Sequence, residues 1–450
     1  MERRTTRPLV PVLAVLLIAG CHPSVESDAP DGGSPGPAAA CPGAVWRTFD
    51  TSGHWVLEGM DGVPGGGFLT LGSSRDVGDV VDLGSGPVTL TGTNLFLAQL
   101  DATGQAVWTK PLGQGALYEQ EGGLAVGDGM GNLVLSGEVM GTVDLGGGAI
   151  ASEGDRITAK LDAHGDVLWS HAFQAWDTVD LIAAGGGGRV ALASGFTETM
   201  NVGGVSLTAN PSALPSYVAM LDASGEILYA RQIGDPTSTG EMFGLAVGPA
   251  GELAACGPYQ GSVTLGGTTL TSGSNSSYVA SLDPSGGPRW LVPIENAQPV
   301  GVAFSGEDVI VVGGSTPGAS IGGVAIPPAP TGDRSSFVVR LDPAGNVRWV
   351  ETLQGAGATG VGVDGDGDLV IVGRVKSPAQ LGGVTLPAPA SWTAYLMKLD
   401  PEGGLRCVTV RADAPPDTFQ GGAIGVTASG YATATATGEA AFAAMPVAPP

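Results

Sequence analysis

Apolar and polar residues alternate with period two through short segments of this chain, and the alternation returns in the same form six times. In "SSFVVRLDPAGNVRWVETL", residues 335–353, Phe337, Val339 and Leu341 fall on one face of a strand, a turn follows, and a second strand ends near Trp349. The same pattern gives Phe96/Ala98/Leu100, Ile157/Ala159/Leu161, Tyr217/Ala219/Leu221, Tyr278/Ala280/Leu282 and Tyr395/Met397/Leu399. Each set leads into Asp-x-x-Gly, with the Asp at 101, 162, 222, 283, 342 and 400. A recurrence every ~60 residues marks an internal repeat. Asp at the first position, Pro at the second in the last three copies and Gly at the fourth are the residues of a type I turn, in which the carboxylate accepts a local backbone hydrogen bond.

Two more elements recur between these hairpins. Upstream lies a pair of apolar strands around a Gly-rich turn, as in "GLAVGPAGELAACG" and "GVGVDGDGDLVIVG". Between the two hairpins comes a Gly-Gly turn, as in "MNVGGVSL", "VTLGGTTL" and "AQLGGVTL". One unit therefore supplies strands A and B, a connecting hairpin, and strands C and D. The expected fold is all-β, a β-propeller of four-stranded antiparallel blades, each burying its faces against its neighbours.

The blade count depends on the termini. "AIGVTASGYATATATG" reads as strands A and B with no Leu-Asp-x-x-Gly hairpin after it and no clear strand C, whereas "PGAVWRTFD" places Trp46 where other D strands carry Trp108, Trp169, Trp290 and Trp349. Seven blades are expected, the last assembled from both termini; six is the alternative. On the A/B hairpin, the Leu-Gly-Gly-x-x-Leu hairpin and the Leu-Asp-x-x-Gly-x-x-Trp hairpin, the chain resembles the bacterial SBBP family of seven-bladed β-propeller repeats over residues 43–450. Tyr229 and Cys407 depart from it by replacing Trp. The resemblance implies a secreted or surface propeller and names no ligand.

The N-terminus adds an address. Arg3, Arg4 and Arg7 precede an apolar run from Leu9 to Gly20, the order of an export signal, and the run is shorter than the ~20 residues that span a bilayer. Ile18-Ala19-Gly20-Cys21 looks like a lipobox. Residues 1–20 are expected to be a lipoprotein signal peptide, Cys21 the lipidated residue, residues 21–42 a flexible Pro/Gly/Ser-rich tether, and residues 43–450 the propeller. His22 after the Cys favours the outer membrane by the enteric sorting rule, which places the chain in the bacterial cell envelope.

Composition narrows the partners. Gly (76) and Pro (33) fall at repeat positions, which suits turns. The net charge of −24 excludes nucleic acid, which needs Lys and Arg against phosphate. After Cys21 come Cys41, Cys256 and Cys407. Cys256 in "LAACG" reads as a small core residue. Cys41 and Cys407 lie near the last gap of the ring, where a bridge is one arrangement the sequence allows.

Candidate chemistry is sparse. "DGDGDL", Asp364 to Leu369, resembles a calcium loop, but Leu369 stands where such loops carry Gly, and the segment aligns with the A/B turns; a turn is expected. The four His residues, at 22, 54, 164 and 171, form no metal-ligand spacing. No catalytic, metal or cofactor residues are assigned. The A/B and C/D turns are stereotyped, whereas the crossovers at the opposite end vary, so the crossover end is the expected binding face. It carries Tyr118, Glu119, Glu121, Trp176, Asp177, Asp180, Asp235, Glu241, Glu295, Asn296, Asp413 and Asp417. The expected function is a non-enzymatic binding or scaffold module, held to the membrane through Cys21, for an envelope protein or polysaccharide. The alternative is a propeller hydrolase or lyase acting on an extracellular polymer.

Overall fold

The structure, a computed structural model, describes Cys41 and, with short gaps, residues 45–446. The leader, Cys21 and the tether up to residue 40 lie outside the described residues. The architecture is all-β: antiparallel strands throughout and, among the described residues, a single 3-10 turn at Gly186–Gly188.

The predicted order of strands is visible in the pairing. Trp55–Gly62, Phe68–Ser74, Leu95–Leu100 and Ala106–Pro111 make one antiparallel sheet in chain order, with the hairpin Val80–Val81/Val88–Thr89 inserted between the second and third strands. Leu181–Gly185, Arg189–Gly195, Ser216–Leu221 and Ile227–Ile233 repeat the arrangement, with Thr199–Val202 and Val205–Thr208 as the hairpin. That hairpin turns on Gly203 and Gly204, both at positive φ (56° and 83°), the two-residue geometry that Gly-Gly makes without steric cost.

Later repeats run together. Pro288–Ser305 pairs first with Ser276–Leu282 as the outer strand of the fourth repeat, and then with Asp308–Ile321 as the first strand of the fifth. Val347–Val363 does the same for the fifth and sixth. Separate D and A strands were expected here; the chain instead bends through bulges at Glu295/Ala297 and Gln354/Ala356, so one long strand serves two repeats.

Both termini enter one sheet. Val45–Phe49 lies outermost, beside Ala440–Pro446, followed by Tyr431–Ala434 and Ile424–Val426, with Trp46 opposite Ala443. The third strand that the sequence did not reveal is thus "AAFAAMP", whose alanines lack the bulky alternation of its counterparts. The first strands touch in the order Trp55–Gly62, Ala125–Gly127, Leu181–Gly185, Gly244–Val247, Pro288–Ser305, Val347–Val363 and Ile424–Val426, and the last of these touches the first again.

The middle strands bury both faces. Phe337, Val339 and Leu341 pack with Val279, Val292 and Ile294 of the preceding repeat, while Val338 packs with Ile371, Tyr395 and Met397 of the following one. Ile157, Ala159 and Leu161 likewise face Leu69, Leu71, Leu95 and Leu97. A fully buried side chain of this kind contributes about 1.5–3 kcal/mol, and it does so only because the next sheet is there.

The Asp-x-x-Gly turns are closed by their own carboxylates. Asp283 Oδ1 accepts from the amides of Ser285 (2.8 Å) and Gly287 (2.9 Å) and from the Ser285 hydroxyl (2.6 Å). Asp162, Asp222, Asp342 and Asp400 accept from the amides two and four residues on in the same way. Side-chain bonds from Ser224, Ser285 and Asn346 lead the causes that hold Asp222, Asp283 and Asp342 below the ordinary carboxylate value. Depressed groups stabilise the fold above their unfolded pKa, here 3.8, and the contribution is lost as the pH falls through the depressed values. Asp283→Asn, which keeps an acceptor oxygen, is expected to unfold near the parental urea midpoint at pH 7, whereas Asp283→Ala loses about 1 kcal/mol. Equal midpoints for the two variants would contradict this role.

Candidate binding face

At the end that carries the A/B and C/D turns, the buried charges are paired internally. Lys160 is 2% exposed, pairs with Asp128 (2.7 Å), and donates to the Gly188 carbonyl of the next repeat (3.1 Å). Burial pushes the Asp128 carboxyl up, but Lys160, Asn132 and the Met130 amide together bring it below its ordinary value. Asp308 holds Arg340 (2.7 Å) and Arg348 (2.9 Å), and Arg340 reaches on to the Pro401 carbonyl (2.6 Å). In "DGDGDL", Asp364 and Asp368 both meet Lys398 Nζ at 2.8 Å, and Arg406 closes on Asp368 at 3.0 Å. Asp364 Oδ1 also accepts from the amides of Asp366 and Asp368, so the calcium-like segment is a turn whose two buried carboxylates, Asp364 and Asp368, are neutralised by protein cations. Among the described residues, no group of three or more His, Cys, Asp or Glu is placed to hold a metal ion.

Three of the repeated tryptophans have a partner in the next repeat that the sequence reading missed, while Trp108 donates to Gln99 Oε1 (2.7 Å) within its own hairpin. Trp169 Nε1 donates to the Ala223 carbonyl (3.1 Å), Trp290 to Pro343 (3.2 Å) and Trp349 to Pro401 (3.1 Å). Each acceptor is the residue after the turn Asp of the following repeat. The turn glycine sits directly over the indole: a Cβ on Gly225 would lie 2.8 Å from Trp169, and one on Gly345 would lie 2.9 Å from Trp290. Tyr229, in the third repeat, packs its ring under Gly286, and Arg231 donates to the Gly286 carbonyl (2.7 Å) in place of an indole. Burial raises the Tyr229 phenol to about 12. From the second repeat to the sixth, Leu-Asp-x-x-Gly-x-x-Trp is therefore a joint between repeats, its Gly and its ring contributed by opposite sides.

Of the crossover-end residues, Glu119, Glu121, Trp176, Asp177, Asp180, Asp413 and Asp417 lie outside the described residues. Tyr118 belongs to the short strand Leu117–Tyr118, opposite Glu138. Asp235 forms a turn: it accepts from the Thr237 amide (2.8 Å), the Thr237 hydroxyl and the Ser262 hydroxyl, and these hydroxyls lower its pKa, Ser262 most. Asn296 is a bulge residue at φ 53°, its amide on the Gly318 carbonyl (3.2 Å) and its own carbonyl accepting from Thr316 (2.8 Å). Glu295 and Asn296 were expected in a loop and instead lie within Pro288–Ser305, because that strand passes unbroken between repeats.

Glu295 stands where the two repeats meet. It is paired in register with Ser276 on one side and Ser320 on the other, and it accepts from the Ser320 hydroxyl (3.3 Å). Burial first, and the Glu295 charge after it, raise the Tyr259 phenol, against a lowering bond from Ser276. Glu241 is exposed, and its amide donates to the Pro258 carbonyl (3.3 Å). Glu241 and Glu295 are the exposed carboxylates that the structure describes among the predicted residues, while Asp235 and Asn296 are committed to local backbone geometry.

No family model and no curated protein matches the chain. Among solved structures it is similar to the Dos1 propeller, at 10% identity over 89% of this chain and 93% of that one, with a TM-score of 0.43. It is also similar to a protein of unknown function from Bacteroides caccae (13% identity, 71% and 95% covered, TM-score 0.32). A lignostilbene dioxygenase from Pseudomonas brassicacearum matches at 12% identity over 85% and 94%, with a TM-score of 0.36. At these scores the likeness assigns no chemistry to this chain.

Proposed function

We propose that the chain is a membrane-anchored extracytoplasmic lipoprotein that presents a seven-bladed β-propeller as a non-enzymatic binding or scaffold module for an envelope protein or polysaccharide. Support for seven blades comes from the cyclic contacts of the first strands and from the sheet that both termini share. Support for an extracytoplasmic address comes from the leader, the "IAGC" sequence and the Cys41–Cys407 disulfide, a bond that persists in oxidising compartments. The observation that carries the binding reading is the contrast between the two ends. The turn end spends its buried ionic groups on its own joints and carries its exposed carboxylates, such as Glu307, Asp366 and Glu402, on stereotyped turns, whereas the crossover end keeps Glu241 and Glu295 exposed on irregular backbone.

The expected result of Cys21→Ala is loss of acyl labelling and transfer of the protein from the membrane to the soluble fraction. On the lipidated protein, Glu241→Lys combined with Glu295→Lys should abolish the cross-linked product formed in native envelopes while leaving thermal unfolding unchanged. Unaltered labelling and membrane recovery would remove the anchor. An unaltered cross-linking pattern would remove the face.

A further inference from the structure

The joint between the sixth and last repeats carries no aromatic ring at the position that the other five repeats fill with Trp or Tyr. Across each C/D hairpin the D-strand residue of the joint stands at one register: Trp169 opposite Lys160, Tyr229 opposite Met220, Trp290 opposite Ser281, Trp349 opposite Arg340. In the sixth repeat that register, opposite Lys398, holds Cys407. An indole there would need the Asp-x-x-Gly turn of the next repeat, and in the last sheet that turn does not exist: its third strand, Ala440–Pro446, and its outer strand, Val45–Phe49, come from opposite ends of the chain. Cys41 stands five residues before Trp46, as Ala344 stands five before Trp349. It therefore occupies the place of a turn residue, next to the position whose carbonyl would take the indole N–H. Cys41 and Cys407 are 5% and 4% exposed and form a disulfide, and the Cys41 amide donates to Thr409 Oγ1 (3.0 Å).

We infer that the Cys41–Cys407 disulfide replaces the tryptophan-to-turn joint at the place where the chain ends meet, so that docking of the N-terminal strand is locked by oxidation. This rests on the ring proposed above. The bond forms when the two thiols give up two protons and two electrons to a disulfide-bearing oxidant, which becomes two thiols. In a reducing compartment the joint has neither an indole nor a covalent bond, and Val45–Phe49 keeps its pairing with Ala440–Pro446 without the clamp. Closure is thereby tied to arrival in an oxidising compartment.

The test is made on the full mature chain. Reductant added to the folded protein is expected to speed proteolysis within residues 41–49, on the order of a hundredfold, because with the bond intact an undocked strand stays tethered beside its partner and re-pairs at a high effective concentration. Cys407→Ser should show the fast rate with or without reductant, and Cys256→Ser should behave as the parent. Proteolysis of the parent at one rate in both redox states would overturn the lock. A second variant separates this from failure of the ring: Thr48→Cys with Ala441→Cys, a register pair of the terminal sheet, in a Cys41→Ser, Cys407→Ser background. Cross-linking that restores slow proteolysis supports the lock as a replaceable clamp on a shared sheet. Failure of that pair to cross-link under oxidant overturns the shared sheet, and the inference falls with it.

Discussion

Gly225→Ala is expected to destabilise the protein by about 2–5 kcal/mol, a large loss for removal of one hydrogen and addition of one methyl group. Two costs combine. Gly225 has φ 89°, a conformation that costs an L-residue about 1–2 kcal/mol. Its Cβ would also lie 2.8 Å from the Trp169 ring and 2.7 Å from His171 Nε2, and neither can retreat easily, since Trp169 is 8% exposed and held by its bond to the Ala223 carbonyl. Overpacking of this kind adds about 1–3 kcal/mol. Trp169→Ala alone should cost about 3–5 kcal/mol through the lost ring and the cavity between sheets. The pair together should cost at least 1 kcal/mol less than the two added, because without the indole the ring clash is gone and His171, which packs on Trp169, can shift into the vacated space away from the new methyl. Urea unfolding of the four proteins measures the coupling. Additivity within about 0.5 kcal/mol would show that Gly225 and Trp169 do not form one joint.

That joint also marks what could be read from the sequence. The period-two sets, the Asp-x-x-Gly turns and the Gly-Gly hairpins were legible because every cause lies within a few residues. An Asp carboxylate bonds the amides two and four positions on, and a Gly-Gly pair supplies its own positive φ. The sharing of one sheet by both termini was legible because two fragments lacked complementary strands, and the structure pairs Trp46 with Ala443. The meaning of the Trp was not legible, since its acceptor is a carbonyl more than fifty positions away and carbonyls leave no signature in a sequence. The strand Ala440–Pro446 was missed because alanine carries little hydrophobic contrast. The crossover face was legible only as a list: Asp235 looked available for a ligand and is occupied by Thr237 and Ser262, hydroxyls that any loop could carry.

The second large effect is expected at Lys398. Its ammonium lies 2.8 Å from both Asp364 and Asp368, whose side chains are 0% and 6% exposed. Burial opposes the charge on Lys398, yet the bonds to the two carboxylates outweigh it and raise its pKa above the ordinary 10.5. A raised group stabilises the fold below its unfolded pKa and loses that contribution as the pH climbs through the raised value, so the parent should weaken only in strong alkali. Lys398→Met keeps the stem and removes the charge. Arg406 then neutralises Asp368 but does not reach Asp364, which is left buried without its cation, and the expected loss at pH 7 is about 3–5 kcal/mol. The uncompensated carboxylate escapes by taking up a proton, so the gap between variant and parent should narrow as the pH falls from 7 towards 4. Adding Asp364→Asn to Lys398→Met removes the stranded charge and should recover part of the loss at pH 7, with less dependence on pH. Urea unfolding of parent, single and double variants across this range decides it. A deficit of the same size at pH 7 and pH 4 would mean that Lys398 acts through packing of its stem and not through the charge held between the two turn carboxylates.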